Sequence, residues 1–274
     1  MSVTSRVGRD GRLALTFERR GARTIVARCS YTLPLQVLAP MALDDPAAVI
    51  SILNPTGGLV GGDTLEIEVD MAPGAHACLT TPSAAKVYRA ESAPATQRVE
   101  LRVAAGARLE WVPDHTIPFA GAALHQVLSA EVEEDATLLV VDAFAAGRVA
   151  RGEAWQFACL DSTVSIRDRS GPVLHDRLIL RDGGPRGLGV TDRRPYFATV
   201  AVVADAGIAA FAARVAALDG DDEIAVGAGL LARRGAVVRC LAADAPALTR
   251  AVDAVWAAAR VEVLALRPLA LRKT

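Results

Sequence analysis

Aromatic side chains are scarce in this sequence. Three Trp, three Tyr and six Phe amount to 4% of 274 residues, while apolar residues of all kinds reach 52%. Ala, Val and Leu must therefore fill most of the core. Net charge is nearly missing as well: 30 basic residues face 31 acidic ones, leaving −1. That balance excludes a bulk attraction to nucleic acid or to an anionic membrane. No window approaches the ~18 uncharged apolar residues that a membrane-spanning helix needs. The four cysteines, Cys29, Cys78, Cys159 and Cys240, lie far apart with no CxxC pair. This spacing excludes a disulfide framework or zinc knuckle and fits a reducing compartment. The opening stretch MSVTSRVGRDGRLAL is polar and carries arginines, without the apolar centre of an export signal. The expectation is a soluble, cytoplasmic protein. A chain of this length buries roughly 70–75% of its unfolded surface and needs no structural metal for stability.

What is present is a short two-fold rhythm from about residue 13 to residue 200. In TLEIEVD (64–70), Leu65, Ile67 and Val69 share one face and Glu66, Glu68 and Asp70 the other. RVELRV (98–103), RLEWV (108–112) and TVSIRD (163–168) repeat the pattern, whereas TLLVVDAF (137–144) is continuously apolar, as in a strand buried on both faces. Segments 69–81, 101–113 and 131–143 share one outline of strand, tight turn and strand, which predicts a coiled, layered body with stacked turns. The fold class expected is mainly β, β-helix-like with antiparallel or mixed sheets, plus a smaller C-terminal α+β region. Residues 1–190 form the β-rich scaffold, and 191–274 pack on it or join it in one domain. In the second part a strand is followed by the helix AGIAAFAARVAAL, ended by Asp219-Gly220-Asp221-Asp222. Two strands meet around Gly235, and a second helix has Asp244 as its N-cap and Pro246 in its first turn.

The most unusual stretch is NPTGGLVGGDT (54–64). A phosphate loop would need a lysine after its last glycine, but Gly62 is followed by Asp63. A dinucleotide fingerprint would need different glycine spacing and a following helix, and here a strand follows. The plainer reading is a pair of turns started by Asn54-Pro55. The functional reading is that Gly57, Gly58, Gly61 and Gly62 bare the backbone beside Asp63, where a passage or a partner could lie.

Residues 52–90 closely resemble the signature of the urease accessory protein UreD (UreH) family. Asn54, Pro55, Gly57, Gly58, Gly62, Asp63, Gly74, Ala75, Thr80, Thr81, Lys86, Tyr88 and Arg89 match its pattern. LEWVPDHTIPFAGAALHQ (109–126) and DAFAAGRVARGE (142–153) resemble two further family segments, in the same order. The tail departs from the family's Pro-Arg-x-Trp ending, with Arg272 and Lys273 in its place. The resemblance implies a non-enzymatic chaperone that binds the urease apoprotein and the accessory protein UreF, which recruits the GTPase UreG. It implies nickel as transient cargo with no tightly bound cofactor, a water-filled passage, and a complex that can be doubled as a homodimer.

Nickel accepts imidazole, carboxylate, carbonyl and thiolate donors. The candidate donors are Asp63, Glu66, Glu68, His76, Cys78 and His115, scattered along the chain. Glu66, Glu68 and Asp70 stand about 7 Å apart along one strand face, an acidic ladder or a solvated one. His76 and Cys78 form an H-x-C on one face; a satisfied core pair is the alternative. Asp142, after an apolar run, is a buried carboxylate that needs a cation or hydrogen-bond donors. Lys86, Tyr88 and Arg89 have the mixture found in interface cores, while Arg19, Arg20, Arg23 and Arg28 read as a solvated hairpin face. Two other classes remain: a metal-storage protein, and an enzyme of small anions using Lys86, Arg89 and Arg148 as clamps and His115 as acid or base.

Overall fold

The computed structural model describes residues 9–181, 183–185, 190–191, 193–218 and 222–271. The chain opens with a hairpin, β1 (Asp10–Arg20) and β2 (Arg23–Thr32), then the short β3 (Gln36–Val37) and β4 (Ala48–Leu53). A coil follows through β5 (Thr64–Met71), β6 (His76–Thr80), β7 (Ala85–Val87), β8 (Ala95–Val103), β9 (Arg108–Val112), β10 (Thr116–Pro118), β11 (Ala123–Val132) and β12 (Thr137–Ala145). The hairpin β13 (Cys159–Asp168) and β14 (Gly171–Arg181) comes next. Then come β15 (Tyr196–Val203), α1 (Ile208–Ala216), β16 (Ile224–Leu230), β17 (Ala236–Ala242) and α2 (Ala245–Glu262).

These strands make two facing sheets. The first runs β14-β13-β11-β8-β5-β1-β2, and the second β16-β17-β15-β12-β9-β6-β4-β3, with β7 and β10 attached beside it. Each rung of the coil gives one strand to each sheet, so β5, β8, β11 and β13 are parallel, as are β4, β6, β9 and β12. The three look-alike segments are successive rungs. At their turns Gly74 (φ 69°), Gly106 (φ 68°) and Asp135 (φ 56°) occupy the same left-handed position, which glycine adopts freely and aspartate tolerates. The turns stack through backbone bonds, Gly74 N–H to Ala105 C=O at 3.2 Å and Gly106 N–H to Glu134 C=O at 3.3 Å. Ala75, Ala107 and Ala136 are fully buried just inside them.

Between the sheets lies an apolar core that includes Leu15, Phe17, Ile67, Val99, Leu109, Leu128, Leu138 and Phe144. A second core forms where the outer face of the second sheet, with Cys78, Val141, Val200 and Val238, meets Phe211, Val215, Leu248, Val255 and Trp256 of the helices. This is why β12 is apolar on both faces. The α+β order expected after residue 191 is present, and β15 pairs antiparallel with β12, extending the second sheet. Asp244 caps α2, accepting from Ala247 N–H at 2.7 Å, with proline in the first turn. Of the turn expected after α1, Asp219, Gly220 and Asp221 lie outside the described residues, as do Arg272 and Lys273 of the tail. Among the described residues no helix is long and apolar enough to cross a membrane.

Candidate functional site

The glycine loop is built around Asn54, whose side chain accepts from Thr56 N–H (3.1 Å) and donates to Gly58 C=O (3.3 Å). The loop then lies against residues 86–88 as a strand would: Leu59 N–H donates to Lys86 C=O and Tyr88 N–H to Leu59 C=O, both at 2.8 Å. That approach demands glycine. A Cβ on Gly58 (φ 154°) would stand 2.4 Å from the Lys86 carbonyl oxygen and 2.8 Å from the Tyr88 ring. Asp63 closes the second turn by accepting from Val60 N–H (2.8 Å) and pairing with Arg9 (3.3 Å). The carboxylate expected to face a passage is therefore engaged in holding the loop. With Gly61 and Gly62 it lies outside the wall of the cavity described next.

That cavity, of about 310 Å³, opens between the sheets. Gly57, Gly58 and Lys86 stand at its mouth, and Gln97, Gln126 and Asp142 line its depth. The coil explains the polar lining. Gln97, Gln126 and Ser162 occupy neighbouring inward positions on β8, β11 and β13, and Asp142 faces them from β12. Gln97 Nε2 reaches Gln126 Oε1 (3.4 Å), Gln126 Nε2 donates to Asp142 Oδ1 (2.7 Å), and Ser162 Oγ donates to Asp142 Oδ2 (2.8 Å). Burial pushes the Asp142 carboxyl up to about 6, although both donors pull the other way. Beyond Asp142 the file continues across the second sheet through Thr199 to Arg239, in register on β15 and β17. Arg239 donates to both oxygens of Asp176 (2.8 and 2.6 Å) and to Thr199. A row of polar side chains thus runs from the glycine loop through the apolar interior to a half-exposed ion pair.

Beside the mouth, Tyr88 meets Phe119 edge-on (5.0 Å between centroids) and its hydroxyl donates to Gly57 C=O (3.3 Å). Arg148 lies over the other ring of this pair, 4.3 Å from the Phe119 centroid, and is held by Glu153 (2.7 Å). Arg89 packs over Gly121. The candidate donors are dispersed. Glu66 pairs with Arg12 (3.0 Å) and Asp70 with Arg102 (2.8 Å) on the outer face of the first sheet, and Glu68 is exposed between them. The acidic ladder is thus a solvent face, because outward positions of β5 sit between the arginines of β1 and β8. Cys78 is buried under the helices. His115 Nδ1 meets Asp114 (2.9 Å) and its ring meets Tyr196. Among the described residues no three His, Cys, Asp or Glu side chains converge on a metal position.

His76 leads to a cluster that sequence reasoning missed. Its Nε2 lies 2.9 Å from Glu110, a carboxylate only 1% exposed. Glu110 also accepts from Trp256 Nε1 (2.6 Å) and twice from Arg260 (2.8 and 3.0 Å). Arg260 is fully buried, pairs with Asp45, and donates to Arg267 C=O (3.0 Å). One guanidinium thus joins strand β9, helix α2, the loop before β4 and the tail. RLEWV alternates, so Glu110 read as solvent-facing; its partner stands 150 residues later.

A sequence model of the family described as UreD urease accessory protein matches residues 9–273. The chain belongs to the UreD family. It is 35% identical over 268 residues to the urease accessory protein UreD of Deinococcus radiodurans, covering 97% of this chain and 95% of the relative. To the UreD proteins of Klebsiella aerogenes and Pseudomonas fluorescens it is 33% and 38% identical, each over 70% of both chains. The three resembling segments therefore mark family membership, and in this UreD-family fold all three meet at the cavity: residues 52–90 form its mouth, Gln126 of 109–126 lines its depth, and Asp142 of 142–153 faces Gln126.

Proposed function

We propose that this protein is a non-catalytic maturation factor for urease. It acts as a chaperone that holds the urease apoprotein on one side and UreF, with its GTPase UreG, on the other while nickel enters the urease active site. Nickel is cargo here, carried transiently in the cytoplasm. Membership of the UreD urease accessory family supports the general role. The observation that carries the rest is the cavity leading from the glycine loop to Asp142. A hydrated divalent ion needs oxygen acceptors spaced along its way, without a closed cage that would trap it. Gln97, Gln126 and Asp142 offer amide and carboxylate oxygens in sequence. With its carboxyl near 6, Asp142 is mostly ionised at neutral pH and attracts a cation. The glycines keep side chains out of the mouth, and Tyr88, Phe119 and Arg148 beside it form an aromatic and cationic patch of the kind that partners bury.

The test is Asp142→Asn in cells expressing the whole accessory set at limiting nickel. Urease recovered with the variant should hold several-fold less nickel per active site, while pull-down with urease and UreF is unchanged. Full nickel loading would end the passage reading, and lost pull-down would make Asp142 a folding residue.

A further inference from the structure

The two sheets end together on one side of the molecule, and none of the described residues covers that end with a further strand. The first sheet terminates in β2, a ten-residue strand paired, among the described residues, with β1 alone. The second terminates in β3 and the segment after it, which follows β4 through Leu38 N–H to Ser51 C=O and Met41 N–H to Val49 C=O. Nine large apolar side chains are more than a third exposed among the described residues, and five of them fall between residues 31 and 43. They are Tyr31 (48%), Leu33 (46%), Leu38 (50%), Met41 (37%) and Leu43 (40%). A long open edge beside such a patch is a template for another strand, and natural sheets hide such edges unless they are used.

The strand's two faces differ. Thr24 reaches the second sheet through His76 N–H, and Val26 packs on the inner core, so these mark the inward side. Past the irregularity between Arg28 and Val26, register with Leu15 and Leu13 puts Cys29 and Tyr31 on that same side, where the second sheet no longer covers them. The outward side carries Arg23 and Arg28, opposite Arg20 and Thr16. Arg23 and Arg28 are exposed and make no hydrogen bond or ion pair among the described residues. A strand laid along β2 would therefore meet apolar surface with one set of alternate side chains and unpaired guanidinium groups with the other. A second copy of this chain fits poorly, since edge-to-edge pairing keeps like faces together and would gather the arginines of both copies.

We infer that β2 is a docking edge for an extended segment of a partner protein whose residues alternate apolar and acidic, added to the first sheet by backbone pairing. The partner's apolar side chains cover Tyr31 and the patch around Leu38, and its carboxylates meet Arg23 and Arg28. The inference is independent of nickel passage.

A ten-residue peptide alternating valine and glutamate is the probe, its valine–lysine counterpart the control, and amide hydrogen exchange of the full chain the readout. The glutamate peptide should bind at least about tenfold more tightly than the lysine one, protect residues 23–32, and weaken as salt rises. The double variant Arg23→Glu/Arg28→Glu should reverse the preference while its thermal midpoint stays unchanged. Equal binding of both peptides, binding of neither, or protection outside β2 would overturn the proposal. So would β2 amides already protected in the free protein: at all concentrations this would assign the edge to the chain itself, and only at high concentration to a second copy.

Discussion

The outer faces of the two sheets carry similar residues under opposite conditions. On the first sheet Glu66, Glu68 and Asp70 stand in water with arginines across the strand. On the second sheet Glu110 occupies an equally outward position, but α2 lies over it and its exposure falls to 1%. A carboxylate in water needs no partner, and the arginine beside it adds little. A carboxylate under a helix must have every oxygen engaged, and Glu110 receives indole, imidazole and guanidinium donors. Burial decides what a charge does in this fold, and the β-strand pattern alone does not reveal burial by a distant helix.

The contrast is broken most severely by Arg260→Ala. It leaves Glu110 and Asp45 buried with no guanidinium between them and frees the tail carbonyl of Arg267. Removing one member of a buried ionic group costs about 3–5 kcal/mol. Urea unfolding should show that loss, and the cooperative transition should be lowest in the C-terminal helix by hydrogen exchange. A loss below about 1 kcal/mol would mean that water reaches the cluster and that the two faces are alike.

Asp142 stands between these cases, enclosed but touched by a cavity. Its folded-state value of about 6 lies above the ordinary 3.8, so the folded protein binds the extra proton in between. Stability is therefore highest at the acid side of that window, falls as pH rises from about 4 to 6, and stays lower above it. The full shift corresponds to about 3 kcal/mol, and access from the cavity reduces it to about 1–2. Asp142→Asn keeps an acceptor for Gln126, turns the Ser162 bond round so that the hydroxyl accepts from the new amide, and removes the charge. The variant should be more stable than the parent by about 1–2 kcal/mol at pH 7.5 and level with it at pH 4, measured by urea unfolding at both values. A parallel pH profile would show that Asp142 is solvated like a surface carboxylate.

Much of the first sheet is legible in the sequence, because one face is wet and one is dry. TLEIEVD, RVELRV and TVSIRD all place their apolar residues inward, as their alternation requires. TLLVVDAF is equally readable as a strand covered on both sides. The stacked turns show in the recurring Gly74, Gly106 and Asp135 positions. Inside the candidate site the glycines announce a close backbone approach, yet the residue they approach, Lys86, is set by the coil and not by local pattern. Asp63 looks exceptional in the sequence and is occupied by Arg9 and Val60. Gln97, Gln126 and Ser162 look ordinary and become a file only when rungs 29 and 36 positions apart stack, as in Gln97↔Gln126 and Gln126↔Ser162. Glu110 is misread for the same reason: its neighbours along the strand carry no trace of Arg260.

The smallest effect belongs to the open face. Arg102 bonds Asp70 at 2.8 Å and approaches Glu100 at 3.3 Å, with all three side chains more than a third exposed. Coulomb attraction there is weakened by water, and ordering a long arginine side chain offsets much of what remains. A double-mutant cycle on Asp70→Ala and Arg102→Ala should give a coupling of about 0.2–1 kcal/mol, shrinking as salt is raised to 1 M. The same cycle on Glu110 and Arg260 should exceed it several-fold and change little with salt, because the helix keeps ions out. If the two couplings were equal, or if salt weakened both alike, α2 would not be shielding the second sheet, and the buried cluster would be a surface network under a loose cover.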